Sequence, residues 1–104
     1  MVTARIDLPM DAIRDFCDRW KIREFALFGS VLRDDFRPDS DIDVLVTFTD
    51  DAAWSLFDHV HMQDELEALL GRKVDLVNRR SVERSENPYR RHEILTTAET
   101  IHAA

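Results

Sequence analysis

The stretch that decides the fold reads Leu27-Phe28-Gly29-Ser30-Val31-Leu32-Arg33, and close behind it comes Asp39-Ser40-Asp41-Ile42-Asp43-Val44-Leu45-Val46. In the first segment an apolar run ends in a Gly-Ser pair, which predicts a buried strand that closes in a turn. In the second segment an Asp-x-Asp pair opens another apolar run. Alternate side chains of a strand share a face, so we expect Asp41 and Asp43 to project together, with Cα atoms about 6.6 Å apart.

These two segments favour nucleotide chemistry. Two carboxylates on one face suit hard divalent cations, which prefer oxygen ligands. The backbone N–H groups of the Gly29-Ser30 turn, with a helix start behind them, form a concavity that attracts phosphate. A calcium loop does not fit the acidic pair, because no glycine follows at the required position and no glutamate closes the loop. A solvated pair of acids at a strand start is the plainer alternative.

The spacing of the two segments resembles a known signature. Gly-Ser, ten residues and then Asp-x-Asp is similar to the pattern of the DNA polymerase β-like nucleotidyltransferase superfamily. The small size and the form Gly29-Ser30-x-x-Arg33 resemble its minimal nucleotidyltransferase branch. That branch often has glycine directly after this arginine, whereas Asp34 follows here. The departure concerns the shape of the following loop and leaves the acidic pair intact.

The resemblance implies a set of site residues. Its metal-binding and catalytic acids correspond to Asp41 and Asp43, and the superfamily carries a third acid on the following strand, where Asp75 is the only candidate. The nucleotide-binding roles fall on Gly29, Ser30, Arg33 and Ser40.

Structural alternatives exist for several of these residues. Asp75 is an acid inside a short apolar strand, where an unpaired carboxylate is costly to bury. It could instead pair with Arg72 or Lys73 at a sheet edge. Arg33 could form a surface salt bridge with Asp34 or Asp35, and Ser30 could be a helix cap.

The resemblance also implies a reaction and a partner. We expect an acceptor hydroxyl to attack the α-phosphorus of ATP, with two Mg²⁺ ions about 3.5–4 Å apart that clamp the attacking and leaving oxygens. Members of the branch commonly act as antitoxins beside a small helical HEPN-type ribonuclease toxin, and some attach AMP to a toxin tyrosine. The alternatives are a non-catalytic nucleotide-binding or masking antitoxin, and the catalytic subunit of a two-component nucleotidyltransferase with another acceptor. No template-binding domain is recognisable.

Composition limits the possibilities further. A chain of 104 residues is expected to form one domain spanning 1–104. The net charge of -7 argues against bulk binding to nucleic acid. One cysteine, Cys17, on the apolar face of a predicted helix, indicates a buried thiol and a reducing compartment. With no candidate membrane span or signal peptide, we expect a cytoplasmic protein.

The fold class expected is α+β, with a small mixed sheet of three or four strands packed against about four helices. Apolar residues at helical spacing follow Pro9 and predict a first helix. The other elements, in chain order, are a strand at 21–28, a short helix at 31–35, a loop at 36–40, a strand at 41–48, a helix at 52–70 capped by Asp50-Asp51 and stopped by Gly71, a strand at 73–78, a polar stretch at 79–87 and a helix from Asn87-Pro88 to near His102. The first two strands must run antiparallel if Gly29 is to meet Asp41, whereas a helical crossover makes the third parallel to the second.

An arginine-rich segment stands out in this acidic chain. Such a cluster is usually a solvated face, but it could receive a triphosphate tail or an acidic partner. Its members are Arg79, Arg80, Arg84, Arg90 and Arg91.

Overall fold

The computed structural model describes residues 8–29 and 41–103. The helices are α1 (Met10–Arg19), α2 (Leu56–Leu70), α3 (Arg79–Glu83) and α4 (Pro88–Thr97), and the strands are β1 (Ile22–Phe28), β2 (Ile42–Phe48), β3 (Val74–Asn78) and β4 (Glu99–Ala103). The helix predicted at 31–35 and the loop at 36–40 lie outside the described residues. Since residues 1–7 and 104 also lie outside them, the single domain over 1–104 stays a prediction.

The four strands form one mixed sheet in the order β3-β2-β1-β4. Strand β1 runs antiparallel to β2 and to β4, whereas β2 and β3 are parallel and are joined by α2. This arrangement confirms the predicted fold class and the predicted strand directions. Each of the first three strands begins one residue later than predicted.

The sheet carries a core on each face. The larger core packs α1 and α2 against β1, β2 and β3, and it includes Ile13, Phe16, Phe25, Val44 and Leu66. The smaller core lies on the opposite face under α3 and α4, and it consists of Ala26, Phe28, Leu45, Val82 and Ile94. Because side chains alternate along a strand, Leu45 and Asp43 point to the same face. The aspartate therefore faces the side of the sheet that α4 covers.

The cysteine is buried, as expected. Cys17 belongs to the larger core and is fully inaccessible. Burial, and secondarily the nearby carboxylate of Asp18, raises the pKa of the Cys17 thiol to about 12. The thiol is therefore protonated at neutral pH and serves as a small apolar side chain.

The start of α2 differs from the prediction. The cap is Ser55 rather than Asp50-Asp51: its hydroxyl accepts from the Asp58 N–H at 3.2 Å, and the Asp58 carboxylate accepts from the Ser55 N–H at 2.9 Å. The helix starts late because Trp54 is held outside it, with its indole Nε1 donating to the carbonyl of Trp20 at 2.8 Å. Gly71, with φ of 70°, ends the helix in the left-handed conformation as predicted.

The last third of the chain corrects two further predictions. The segment 79–87 was predicted only as a polar stretch with no helix, but it contains α3. The final helix does not reach His102, since α4 ends at Thr97 and β4 follows. The hydroxyls of Thr96 and Thr97 donate to the carbonyls of His92 and Glu93 at 2.7 and 2.6 Å, so they compete with backbone partners near the helix end. The chain then pairs with the open edge of β1.

The helices can be compared with the length and apolarity of a membrane span. Within residues 8–29 and 41–103, none of the helices combines the length and apolarity that crossing a bilayer requires.

Candidate active site

The structure brings two of the predicted acids side by side. Asp43 on β2 and Asp75 on β3 are register partners in a parallel pair. Neighbouring strands lie about 4.8 Å apart, and paired residues present their side chains on the same face. Asp43 is half-buried and Asp75 is exposed. Of the described residues, none forms an ion pair with Asp75, so the edge-strand pairing with Arg72 or Lys73 is not formed.

The third acid, Asp41, lies two residues before Asp43 in the chain. It directly precedes β2 and is exposed. In residues 8–29 and 41–103, no three side chains of His, Cys, Asp or Glu are gathered closely enough to hold a metal ion. The assignment of Asp41, Asp43 and Asp75 as joint metal ligands therefore stays a prediction.

Gly29 ends β1 directly against the Asp43 carboxylate. Its φ is +76°, a conformation that residues with a side chain rarely adopt. A Cβ atom at this position would also overlap Oδ2 of Asp43, so the carboxylate would have to rotate away. The positive φ favours glycine here, and the backbone lies directly against the acid. Of the other predicted nucleotide-binding residues, Ser30, Arg33 and Ser40 lie outside the described part of the chain.

A cleft of about 710 Å³ opens over these residues. Its floor is the end of the sheet and its wall is α4 with the start of β4. The lining residues are Phe28, Gly29, Asp43, Asp75, Arg90, Glu93, Ile94, Thr96, Thr97 and Glu99. We call this space the carboxylate cleft, and its volume lies within the range typical of small-molecule sites.

Among the wall residues of α4, Glu93, Thr96 and Thr97 were not predicted from the sequence as members of the site. Arg90 was expected only as part of an arginine-rich segment that could receive a triphosphate tail. Arg90, Glu93 and Thr97 follow one another at intervals of three and four, which places them on one helix face. The neighbouring Ile94 is buried in the smaller core, so it anchors this face toward the sheet. In the sequence, these polar residues at helical spacing beside one apolar residue were the pattern that could have indicated a polar wall.

The arginine-rich segment does not act as one patch. Arg79 lies 3.7 Å from the carboxylates of both Glu24 and Glu83. Arg91 donates to the carbonyl of Ser85 at 2.9 Å. Only Arg90 of this segment lines the carboxylate cleft. The arginines of this segment therefore make different contacts in different parts of the structure.

A second cavity, of about 330 Å³, lies at the opposite end of the sheet, where β2 and β3 finish. Its polar lining residues are Arg23, Thr47, Thr49, Asp50, Ser55, His59, Asn78, Arg79, Arg80 and Glu83. We call it the far pocket. It contains none of the predicted site residues.

A family model, the nucleotidyltransferase domain, matches residues 10–99. The chain belongs to this family. It is 39% identical over 69 residues to the protein adenylyltransferase MntA of Thermococcus cleftensis, covering 66% of this chain and 68% of that protein. It is 38% identical over 72 residues to a Methanocaldococcus jannaschii protein classed with the protein adenylyltransferases, covering 69% of each.

Solved structures agree with this nucleotidyltransferase fold. A minimal nucleotidyltransferase is 37% identical and superposes with a TM-score of 0.64, over 86% of this chain and 85% of that one. A chain from a toxin–antitoxin complex with AMP-PNP superposes with a TM-score of 0.71 at 22% identity, over 93% and 75% of the two chains. A third match, with a TM-score of 0.62 at 22% identity over 90% and 69%, is from a complex of a tri-AMPylated Shewanella oneidensis HEPN toxin with its MNT antitoxin.

These comparisons confirm the family, the fold and the enzyme class expected from the sequence. The chain is a nucleotidyltransferase of the minimal type, and its Gly-Ser and Asp-x-Asp segments lie inside the matched region.

Proposed function

We propose that this nucleotidyltransferase transfers AMP from ATP to a hydroxyl group of a partner protein, and that the partner is a HEPN-type ribonuclease toxin. The observation that carries the proposal is the register pairing of Asp43 with Asp75 beside Gly29, within a cleft large enough for a nucleotide. The relatives add support, because MntA is a protein adenylyltransferase and the AMPylated toxin was found beside a chain of this fold.

The donor set of the cleft fits a hard divalent cation. Asp43 and Asp75 offer carboxylate oxygens from adjacent strand positions, and Asp41 precedes the same strand. In this proposal Asp41, Asp43 and Asp75 would hold Mg²⁺, and the ion would offset negative charge on the reacting phosphate. No described histidine or thiol group competes for this role near the pair, since Cys17 is buried in the opposite core.

The transfer replaces a phosphoanhydride bond of ATP with a phosphoester bond to the acceptor. The acceptor oxygen bonds to the α-phosphorus of ATP, the bond from that phosphorus to the bridging β-oxygen breaks, and pyrophosphate leaves with the electron pair. The acceptor proton passes to the carboxylate of Asp75, which is exposed and so accessible to a protein substrate. In this proposal the backbone N–H groups of the Gly-Ser signature bind the phosphates, and the described member, Gly29, lies against Asp43.

The charge of the chain suits such a partner. A net charge of -7 is complementary to a basic surface that binds RNA, and it speeds encounter with such a surface. An attached AMP adds a negative phosphate where the toxin must accept RNA phosphate, so it repels the toxin's substrate. A cytoplasmic location, expected from the single reduced cysteine, belongs to this proposal.

The test is to incubate the chain with ATP, Mg²⁺ and a HEPN-type ribonuclease encoded beside it, and to weigh both proteins by mass spectrometry. We expect the ribonuclease to gain one or more AMP units and to lose activity, and Asp43→Asn to abolish both effects. If the ribonuclease is inhibited without gaining mass, the chain acts by masking its partner and not by transferring AMP. A ribonuclease that neither binds nor gains mass would overturn the assignment of the partner.

A further inference from the structure

We propose that Arg90 is the residue that binds the β- and γ-phosphates of the nucleotide substrate. This inference rests on the proposed function, because it assumes that a nucleoside triphosphate occupies the carboxylate cleft. It goes beyond the Gly-Ser and Asp-x-Asp segments, since Arg90 lies on α4, far along the chain from both.

The position of Arg90 is determined by two anchors on its own helix. Asn87 caps α4, and its Oδ1 accepts from the N–H groups of Tyr89 and Arg90 at 3.2 and 3.1 Å. One turn further on, Ile94 is 5% exposed and packs in the smaller core. The backbone of Arg90 is thus held on the wall of the cleft that faces the sheet, where Asp43 and Asp75 lie.

The charges of the cleft single out this arginine. Apart from Arg90, its charged lining is entirely acidic: Asp43, Asp75, Glu93 and Glu99. These acids would repel a triphosphate. A cation held by the aspartates would offset only part of that repulsion. Within the described lining, Arg90 is the one permanent positive charge.

The guanidinium of Arg90 is also uncommitted. In residues 8–29 and 41–103 it has no ion-pair partner, although Glu93 lies one helical turn away and lines the same cleft. Arg79 and Arg91 of the same segment are instead engaged by protein groups. An arginine left unpaired among acids is an available bidentate donor for phosphate oxygens.

The chemistry places this contact on the tail of the nucleotide. The α-phosphorus must lie over the aspartates, where the acceptor attacks. Arg90 stands on the wall above the floor of the cleft, so the group that reaches it is the pyrophosphate portion. Negative charge grows there as the bond to the α-phosphorus breaks, and a positioned guanidinium stabilises that charge.

The experiment compares Arg90→Ala with Arg84→Ala. Arg84 belongs to the same segment, is exposed and does not line the cleft, so its variant makes the same change in net charge. Isothermal titration calorimetry with Mg²⁺ measures binding of ATP, pyrophosphate and AMP to the wild type and to both variants. No partner protein is needed.

We expect Arg90→Ala to weaken ATP and pyrophosphate binding about 10- to 100-fold, the usual effect of losing a charge-assisted contact. AMP binding should change by less than about twofold. Arg90→Lys should restore part of the loss, since lysine keeps the charge but not the bidentate fork. Arg84→Ala should behave as the wild type.

An equal loss for ATP and AMP would overturn the proposal, because Arg90 would then act on the nucleoside or on the fold. An unchanged ATP affinity in Arg90→Ala would overturn it as well, and so would a wild type that binds no ATP. If ATP binding depends on Arg90 but no partner is ever modified, the proposed protein acceptor fails and the role of Arg90 stands.

Discussion

The two ends of the sheet hold polar cavities of opposite character. The carboxylate cleft is lined by four acids and one arginine. The far pocket is lined by three arginines and two acids. From charge alone, the far pocket is the better place for phosphate. Its polar groups, however, are largely used by the fold: Arg79 bridges Glu24 and Glu83, and Asn78 caps α3 through the N–H of Arg80.

The difference shows that polar composition does not identify a binding site. Most polar groups in a folded protein satisfy other groups of the same chain. In the far pocket, Ser55 follows this pattern as the cap of α2. In the carboxylate cleft, by contrast, Asp75 and Arg90 have no ion pair among the described residues. Groups that the fold leaves uncommitted are the ones available to a ligand.

The largest expected contrast is catalytic. Asp43→Asn or Asp75→Asn should lower nucleotide transfer by more than about 100-fold, because losing even an outer-shell partner of a metal site costs up to that much. The amide keeps the volume of the carboxylate, so the melting temperature should stay near that of the wild type. Transfer of labelled AMP is the measurement.

Arg80→Ala in the far pocket is the matched control for these variants. We expect it to transfer AMP within about twofold of wild type, since the far pocket has no catalytic role here. Transfer at the wild-type rate by either aspartate variant would contradict the assignment of catalysis to the carboxylate cleft. A loss in Arg80→Ala equal to theirs would contradict it as well.

The second contrast uses the two glycines with positive φ. Gly29→Ala should lower the free energy of unfolding by about 1–2 kcal/mol, because alanine is strained in the left-handed conformation. It should also lower transfer, because the new methyl group would displace the Asp43 carboxylate. Gly71→Ala has the same kind of strain at φ +70° but meets nothing within 4 Å, so we expect a loss of about 1–2 kcal/mol and unchanged transfer. Urea unfolding and the transfer assay together measure both effects. Transfer by Gly29→Ala at the rate of Gly71→Ala would contradict the close approach of Gly29 to Asp43.

The third contrast compares two helix caps, one at each end of the sheet. Asn87→Ala and Ser55→Ala should each cost about 1 kcal/mol of stability, since each removes a side-chain acceptor from a helix N-terminus. Only Asn87→Ala should raise the KM for ATP, by about three- to tenfold, because it loosens the turn that holds Arg90. Steady-state kinetics of both variants provides the comparison. An equal change in KM would mean that α4 contributes nothing specific to the cleft.

The smallest effect belongs to neither end. The Arg19 guanidinium, and secondarily the Trp20 indole, lower the pKa of the Glu65 carboxyl below its usual range. A depressed carboxyl pKa stabilises the fold above the ordinary glutamate value, and that contribution disappears as the pH falls through the lower, folded value. Glu65 is about one-third exposed, so the effect should not exceed about 1 kcal/mol. We expect Glu65→Gln to lose stability at pH 7 but little at pH 3, as measured by urea unfolding followed through tryptophan fluorescence.

Several parts of the fold were predictable because they depend on local sequence. The apolar runs that end at Phe28 and begin at Ile42 predicted β1 and β2, since a short continuous apolar run is a local property typical of a strand buried on both faces. Asn87-Pro88 and Gly71 predicted a helix start and a helix end because their capping geometry is local. The Asp-x-Asp spacing likewise indicated a shared face before any fold was known.

Other features depended on contacts between distant residues. The late start of α2 follows from Trp54 packing on Trp20, with ring centroids 5.1 Å apart, which no local pattern records. Strand β4 forms because the edge of β1 is open to pairing, and that edge exists only once the sheet is assembled. Neither the contact of Trp54 with Trp20 nor the open edge of β1 can be recognised from a local stretch of sequence.

The candidate site shows the same distinction between local sequence and contacts of distant residues. By itself, the sequence predicted the acids and the Gly-Ser turn, because their chemistry is carried by residue type and short spacing. Only the tertiary structure decided the register that makes Asp75 the partner of Asp43, the approach of Gly29 to that acid, and that Arg90 alone of the arginine-rich segment lines the cleft. The physical reason is that a charge becomes available to a ligand through what the fold leaves unpaired around it, and pairing is a property of neighbours in space.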